Sequence, residues 1–254
     1  LAGDPAHAWL ALGAVSTCVA AATWRALDRV APAAAHAPST TQAHGAPATE
    51  IDRSSWILVV CYGAFGFGYI VPATFLPAVA RAFVADPAVF GWTWPVFGVA
   101  AAASTIAVAA LTTRAAPRTV ATISLLVMAA GVAAPVVRMS IASLLFSAIC
   151  VGGTFMVMTM AGMQEARRIA AGSGLRSDSG ADSAADSGSR LIAGMTAAFA
   201  LGQLAGPLLA RSGPSAVAAM RVPSIVAATV LLVAALVLAL DRPRTPASSV
   251  EGSH

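Results

Sequence analysis

The stretch Trp56–Pro77, WILVVCYGAFGFGYIVPATFLP, runs 22 residues without a charged side chain. At 1.5 Å per residue, a helix of that length covers about 33 Å, enough to cross a hydrocarbon core of about 30 Å. Gly63, Gly66, Gly68, Pro72 and Pro77 interrupt it. In a water-exposed helix each glycine costs about 1 kcal/mol relative to alanine, and an interior proline about 3 kcal/mol. A plain membrane anchor has no use for such residues. A helix that packs closely, bends or lines a path through the bilayer does.

Composition places the rest of the chain in the same solvent. Charged residues make up 10% of it and hydrophobic ones 58%, with a mean hydropathy of +0.79. A soluble domain carries about 25% charged residues. The chain therefore reads as an integral membrane protein whose first partner is the lipid bilayer. The net charge of +4 comes with 15 basic residues, all arginine. They sit between apolar spans, so topology explains them and no nucleic-acid partner is expected.

Seven apolar spans can be drawn, at about Ala6–Trp24, Ser55–Val79, Trp92–Leu111, Val120–Val137, Ile141–Met163, Leu191–Leu209 and Val222–Leu240. Each is close to the roughly 20 residues a spanning helix needs. The connectors alternate in charge. One set holds Arg25, Arg29, Arg53, Arg114, Arg118, Arg167, Arg168, Arg176, Arg190, Arg242 and Arg244; the other holds Arg81, Arg138, Arg211 and Arg221. The positive-inside rule assigns the first set to the cytoplasm, which leaves the N-terminus outside and the C-terminus inside.

The expected organisation is a single helix over residues 1–27, a cytoplasmic linker over 28–54, six helices over 55–241 and a cytoplasmic tail over 242–254. The linker, Leu27–Ser54, is rich in Ala, Pro, Thr and His, with no periodic apolar pattern. The run Gly172–Ser189, GSGLRSDSGADSAADSGS, reads as a disordered cytoplasmic loop. Its Asp178, Asp182 and Asp186 recur every four residues, which is not the alternating pattern of a calcium loop. The chain begins with Leu and has no basic segment before its first span, so it reads as a fragment rather than as a chain with a signal peptide.

Groups for chemistry are scarce. No catalytic motif of the metalloprotease, nucleophile-elbow or phosphate-loop kind occurs. Cys18, Cys61 and Cys150 lie singly inside apolar spans, and His7, His36, His44 and His254 lie outside the span cores. Neither a metal nor a cofactor is expected, and a membrane enzyme ranks last among the readings. No span core holds an acid or a base, which argues against a charge relay inside the bilayer. Glu165, beside Arg167 and Arg168, reads as an interfacial ion-pair residue.

The polar groups within spans are hydroxyls and one amide. Tyr62 and Tyr69, seven apart, share a helical face with Gly66 between them. Cavity lining and helix packing are both open for them. Gln203 stands between Gly202 and Gly206, a close-packing spacing. Its amide reads either as an interhelical hydrogen-bond partner or as a contact to solute. Gly152, Gly153 and Thr154 form a second glycine cluster, opening the second of two span triplets. Matched glycine interruptions in corresponding spans point to the inverted repeats of transporters. Trp92 and Trp94, flanking the start of the third span, read as interface anchors.

The linker followed by three plus three spans resembles the C-terminal half of a major facilitator superfamily transporter. The segments CYGAFGFGYIVPATFLP at Cys61–Pro77, GWTWPVFGVAAAAST at Gly91–Thr105, VGGTFMVMTMAGMQEARR at Val151–Arg168 and MTAAFALGQLAGPLLA at Met195–Ala210 resemble the YbfB/YjiJ branch of that superfamily. The fold implied is an all-α membrane bundle of major-facilitator type, with about seven transmembrane helices, the sixth to the twelfth of twelve. The Gly172–Ser189 run reads as an insertion in a loop that is shorter in that branch. Arg114-Ala-Ala-Pro-Arg118 is a degenerate echo of the superfamily's loop signature.

The resemblance implies secondary active transport of an unidentified small solute by alternating access, two six-helix halves rocking about a central site. The first half would lie outside this chain, as a partner. The location implied is the bacterial cytoplasmic membrane. Tyr62, Tyr69, Thr154 and Gln203 are then the candidate cavity residues. Gly63, Gly66, Gly68, Pro72, Gly152, Gly153, Gly202 and Gly206 are the candidate hinge and packing residues. The alternative is a non-transporting membrane scaffold or an inactive remnant of a transporter.

Overall fold

The computed structural model describes residues 5–30, 52–83, 93–111, 115–174, 181–209 and 215–241. Among them are seven helices and no strand: α1 (Pro5–Val30), α2 (Arg53–Phe83), α3 (Thr93–Leu111), α4 (Pro117–Val137), α5 (Ile141–Gly174), α6 (Ala181–Leu208) and α7 (Ala216–Leu240). One helix lies on each expected span. Five of them, α2 and α4 to α7, are long and apolar enough to cross a membrane, and α3 carries a shorter apolar run at Pro95–Ile106. The chain divides into two units, Leu1–Thr49 and Glu50–His254. The first contributes α1, a helix of 26 residues.

Local chemistry sets the helix ends in the second unit. α4 opens on Pro117, preceded by Ala116 in extended conformation. Proline is pre-set for a first helical turn and gives up an N–H that had no partner there. Ser140 and Ser143 cap α5 reciprocally: the Ser143 N–H donates to Ser140 Oγ at 3.2 Å and the Ser140 N–H to Ser143 Oγ at 3.1 Å. That satisfies two of the N–H groups a helix start leaves open. At α7, Ser215 Oγ accepts from the Ala218 N–H at 3.2 Å.

Two triplets, α2–α4 and α5–α7, pack with a repeated pattern. α2 lies along α6, and α5 lies along α3. α2 also packs on α7, and α5 on α4. Exchanging the triplets turns each pair into the other. α4 meets α7 at the back of the bundle, while α2 and α5 meet along its centre. The main buried core joins Leu58 and Phe65 of α2, Leu125 and Met128 of α4, Met158 of α5, Met195 of α6 and Leu231 of α7. Leu76 and Val79 of α2, Leu144 of α5 and Met220 of α7 form a smaller core.

One expectation is corrected here. Gly172–Ser189 is not a loop throughout: α5 continues to Gly174 and α6 already begins at Ala181. The cause is the run Ala181–Arg190, in which alanine favours helix and Asp186 Oδ2 meets Arg190 Nη2 at 2.7 Å, one turn apart. Asp186 is thus an ion-pair partner in a helix. Residues 175–180 of the run lie outside the described residues, as do most of the expected linker, residues 31–51, and the tail 242–254.

Candidate functional site

The small residues of α2 and α6 let two backbones touch. A methyl group at Gly63 would sit 3.3 Å from the Ala198 carbonyl oxygen. One at Gly66 would collide with the Phe199 carbonyl, and one at Gly202 with the Gly63 carbonyl. Gly206 lies against the side chain of Ile70, whose Cγ2 would be 2.3 Å from an added methyl. With no hydrophobic drive between helices in lipid, such close backbone approach and its dispersion contacts hold them together. α5 repeats the device against α3: a methyl at Gly152 would lie 2.5 Å from the Phe97 carbonyl oxygen. Gly153, next to it, has open space, so only Gly152 is a packing glycine.

Pro72 and Pro77 lie inside α2, which continues through both. Proline has no N–H to offer the carbonyl four residues back, so the Gly68 carbonyl loses its usual partner. Gly68 itself faces Leu231 of α7, whose Cδ1 would lie 2.6 Å from an added methyl. Pro72 is buried and helps line a small pocket with Leu76, Phe97 and Val151.

These close contacts gather six rings from four helices. Tyr62, Phe65 and Tyr69 come from α2, Phe97 from α3, Phe155 from α5 and Phe199 from α6. Tyr69 sits 4.6 Å from Phe155, 6.1 Å from Phe97 and 6.3 Å from Phe199, ring centre to ring centre. Phe65 sits 5.1 Å from Phe199, and Tyr62 5.4 Å from Phe65. The angles are tilted or edge-on, the arrangement aromatic quadrupoles favour. Phe65 and Tyr62 are buried, whereas Tyr69, Phe97, Phe155 and Phe199 keep part of their surface open.

The candidate polar residues divide into two pairs. Tyr62 is buried, its ring fits over Gly162 of α5, and its hydroxyl bonds the Thr159 side chain. Thr154 donates to the Cys150 carbonyl of its own helix at 2.7 Å. Both are therefore internally committed. Tyr69 and Gln203 are half-buried and hydrogen-bond no described residue. Gln203 follows Phe199 by four positions, so it lies one turn along the same face of α6. The open rings, one phenol and one amide thus share the side of the bundle formed by α2, α3, α5 and α6.

Opposite charges meet at one end of the bundle. Arg118 of α4 holds three partners: Glu165 Oε1 of α5 at 3.4 Å, the Leu238 carbonyl of α7 at 2.9 Å, and Asp241 at the α7 C-terminus. Ser54 of α2 donates to the same Asp241 Oδ2 at 3.0 Å. Glu165 is only 3% exposed, and its Oε2 has no hydrogen bond, with Arg168 Nη1 at 3.7 Å. The ion-pair role expected of Glu165 is present with Arg168, but its nearer partner comes from α4. Sequence reasoning missed that partner because Arg118 and Glu165 are 47 residues apart. The contacts draw the starts of α2 and α4 and the ends of α5 and α7 to one end of the bundle.

Of the other singled-out residues, Trp92 and Arg114 lie outside the described residues, and Trp94 falls in the first turn of α3. Neither the curated proteins nor the solved structures include a match to this chain. A family model described as "Uncharacterised MFS-type transporter YbfB" matches residues 1–239. The match covers all seven helices almost to the end of α7, so the chain belongs to the YbfB-type family of major facilitator transporters.

Proposed function

We propose that the chain is the C-terminal half, with one preceding helix, of a secondary active transporter that works by alternating access. Its solute is small and neutral or amphipathic, and it meets the face formed by α2, α3, α5 and α6. The observation that carries this reading is the pairing of open aromatic rings with two half-buried polar groups that bond no described residue, Tyr69 and Gln203. A face used only for packing would satisfy its polar groups, since an unpaired one in an apolar setting costs about 1–3 kcal/mol. A face that meets a solute keeps them free.

The exchange of packing partners between the triplets supports the alternating-access part. In that mechanism related helix repeats rock against one another about a central site. The end that gathers Arg118, Arg168, Glu165 and Asp241 then faces the cytoplasm, in keeping with the arginine partition. The membrane proposed is the bacterial cytoplasmic one.

The test is transport in proteoliposomes. The chain alone should move no solute, and uptake or efflux should need co-reconstitution with an N-terminal six-helix half. Robust transport by the chain alone would overturn the half-transporter reading.

A further inference from the structure

A second surface, away from the aromatic face, has the form of a lipid site. A groove of about 370 Å³ runs between α2 and α7. Trp56, Ile57, Val60, Cys61 and Ala64 line one wall, and Thr229 to Val237 the other. Two of its polar side chains, Thr229 and Cys61, are already used. Thr229 donates to the Ile225 carbonyl at 2.9 Å, and Cys61 Sγ donates to the Ala234 carbonyl at 3.4 Å. Apart from the Trp56 indole N–H, no described side chain lining the groove is left to hydrogen-bond water or a polar solute, so hydrocarbon fits the trough beyond Trp56 without loss.

Length and charge narrow the occupant. Residues 56–64 of α2 cover about 12 Å, less than half of a hydrocarbon core of about 30 Å, so the groove lies within one leaflet. Trp56 stands at its outer end, 55% exposed, where an amphipathic indole suits the headgroup level. One turn further out is Arg53, three and four positions before Trp56 and Ile57 and so on the same helical face. Arg53 is exposed and forms an ion pair with no described acid, including its neighbour Asp52. A cation with no described acid partner, an interfacial indole and an apolar trough follow one another down α2.

We infer that the α2–α7 groove seats an acyl chain of an anionic phospholipid, its phosphate at Arg53. The site is separate from the solute face. It can be tested whether or not the chain transports anything.

The experiment is native mass spectrometry of the full chain in detergent with equimolar dioleoyl phosphatidylglycerol and dioleoyl phosphatidylcholine. The wild-type chain should retain one phosphatidylglycerol about fivefold over phosphatidylcholine, the effect of one basic residue near an anionic headgroup. Arg53→Gln, a change at an exposed position, should equalise the two lipids while one chain's worth of lipid stays bound. Val233→Trp, which fills the trough from an exposed position, should lose both. Equal retention by the wild type, undiminished retention by Val233→Trp, or a lipid-free assembly of two chains would each overturn the assignment.

Discussion

Gly202 of α6 lies against the carbonyl of Gly63 of α2, with no space for a methyl group between them. The obstacle is backbone, not the tip of a flexible side chain. Gly202→Ala must therefore push the two helices apart. We expect a loss of about 1–3 kcal/mol, the range for overpacking a tight interface, read as a lower unfolding midpoint in detergent. A midpoint unchanged from wild type would contradict the close approach.

Neighbouring glycines in α5 should respond with opposite sign. Gly152→Ala meets the Phe97 carbonyl, 2.5 Å away, whereas Gly153→Ala meets nothing within 4 Å. The first should destabilise. The second should be neutral or stabilise by up to about 1 kcal/mol, because alanine loses less backbone entropy in a helix. Thermal midpoints of the two variants, measured side by side, check the contrast.

Arg118 sits between Glu165 and Asp241, both with little exposed side chain. Removing it leaves Asp241 with no described cation and the buried Glu165 with only Arg168, 3.7 Å away and mostly exposed. Arg118→Ala should cost about 3 kcal/mol or more. Pairing Arg118→Met with Glu165→Leu should cost less than Arg118→Ala alone, since the buried Glu165 carboxylate, which has lost its nearer cation, is then gone as well. A double-mutant cycle measures the coupling directly.

The two tyrosines should separate stability from function. Tyr62→Phe loses the bond to Thr159 and should destabilise by about 0.6 kcal/mol, the average for such bonds inside membranes. Tyr69→Phe removes a hydroxyl that bonds no described residue, so stability should not change. Its effect should fall on the KM for solute once a transported solute is in hand. A thermal shift for Tyr69→Phe as large as that for Tyr62→Phe would contradict this division.

Much of the helix plan was legible because lipid imposes long uncharged spans, and the arginines between them mark the connectors. Gly63 and Gly66 break one apolar run and Gly202 another, and the structure places all three where α2 and α6 approach closely. Gly153 shares its sequence signal with Gly152 but faces open space, since composition does not tell which side of a helix meets a neighbour. The rings of Phe97, Phe155 and Phe199 blend into apolar spans, and only packing between four helices brings them together. Arg118 and Asp241 are 123 residues apart, so no local pattern joins them. The start of α6 was misjudged because Ser, Gly and Asp dominate the composition around it, while alanine and the Asp186–Arg190 pair decide the local structure.

The most direct test of the account places a reporter at Tyr69. In a background where Cys18, Cys61 and Cys150 are replaced by alanine, Tyr69→Cys is treated with a membrane-impermeant maleimide, together with the N-terminal half. The reagent is applied first to intact cells and then to inside-out vesicles. Alternating access predicts labelling from both sides, with solute protecting the cysteine on each. Labelling from neither side, or from one side only whatever the solute, would contradict a solute path along α2.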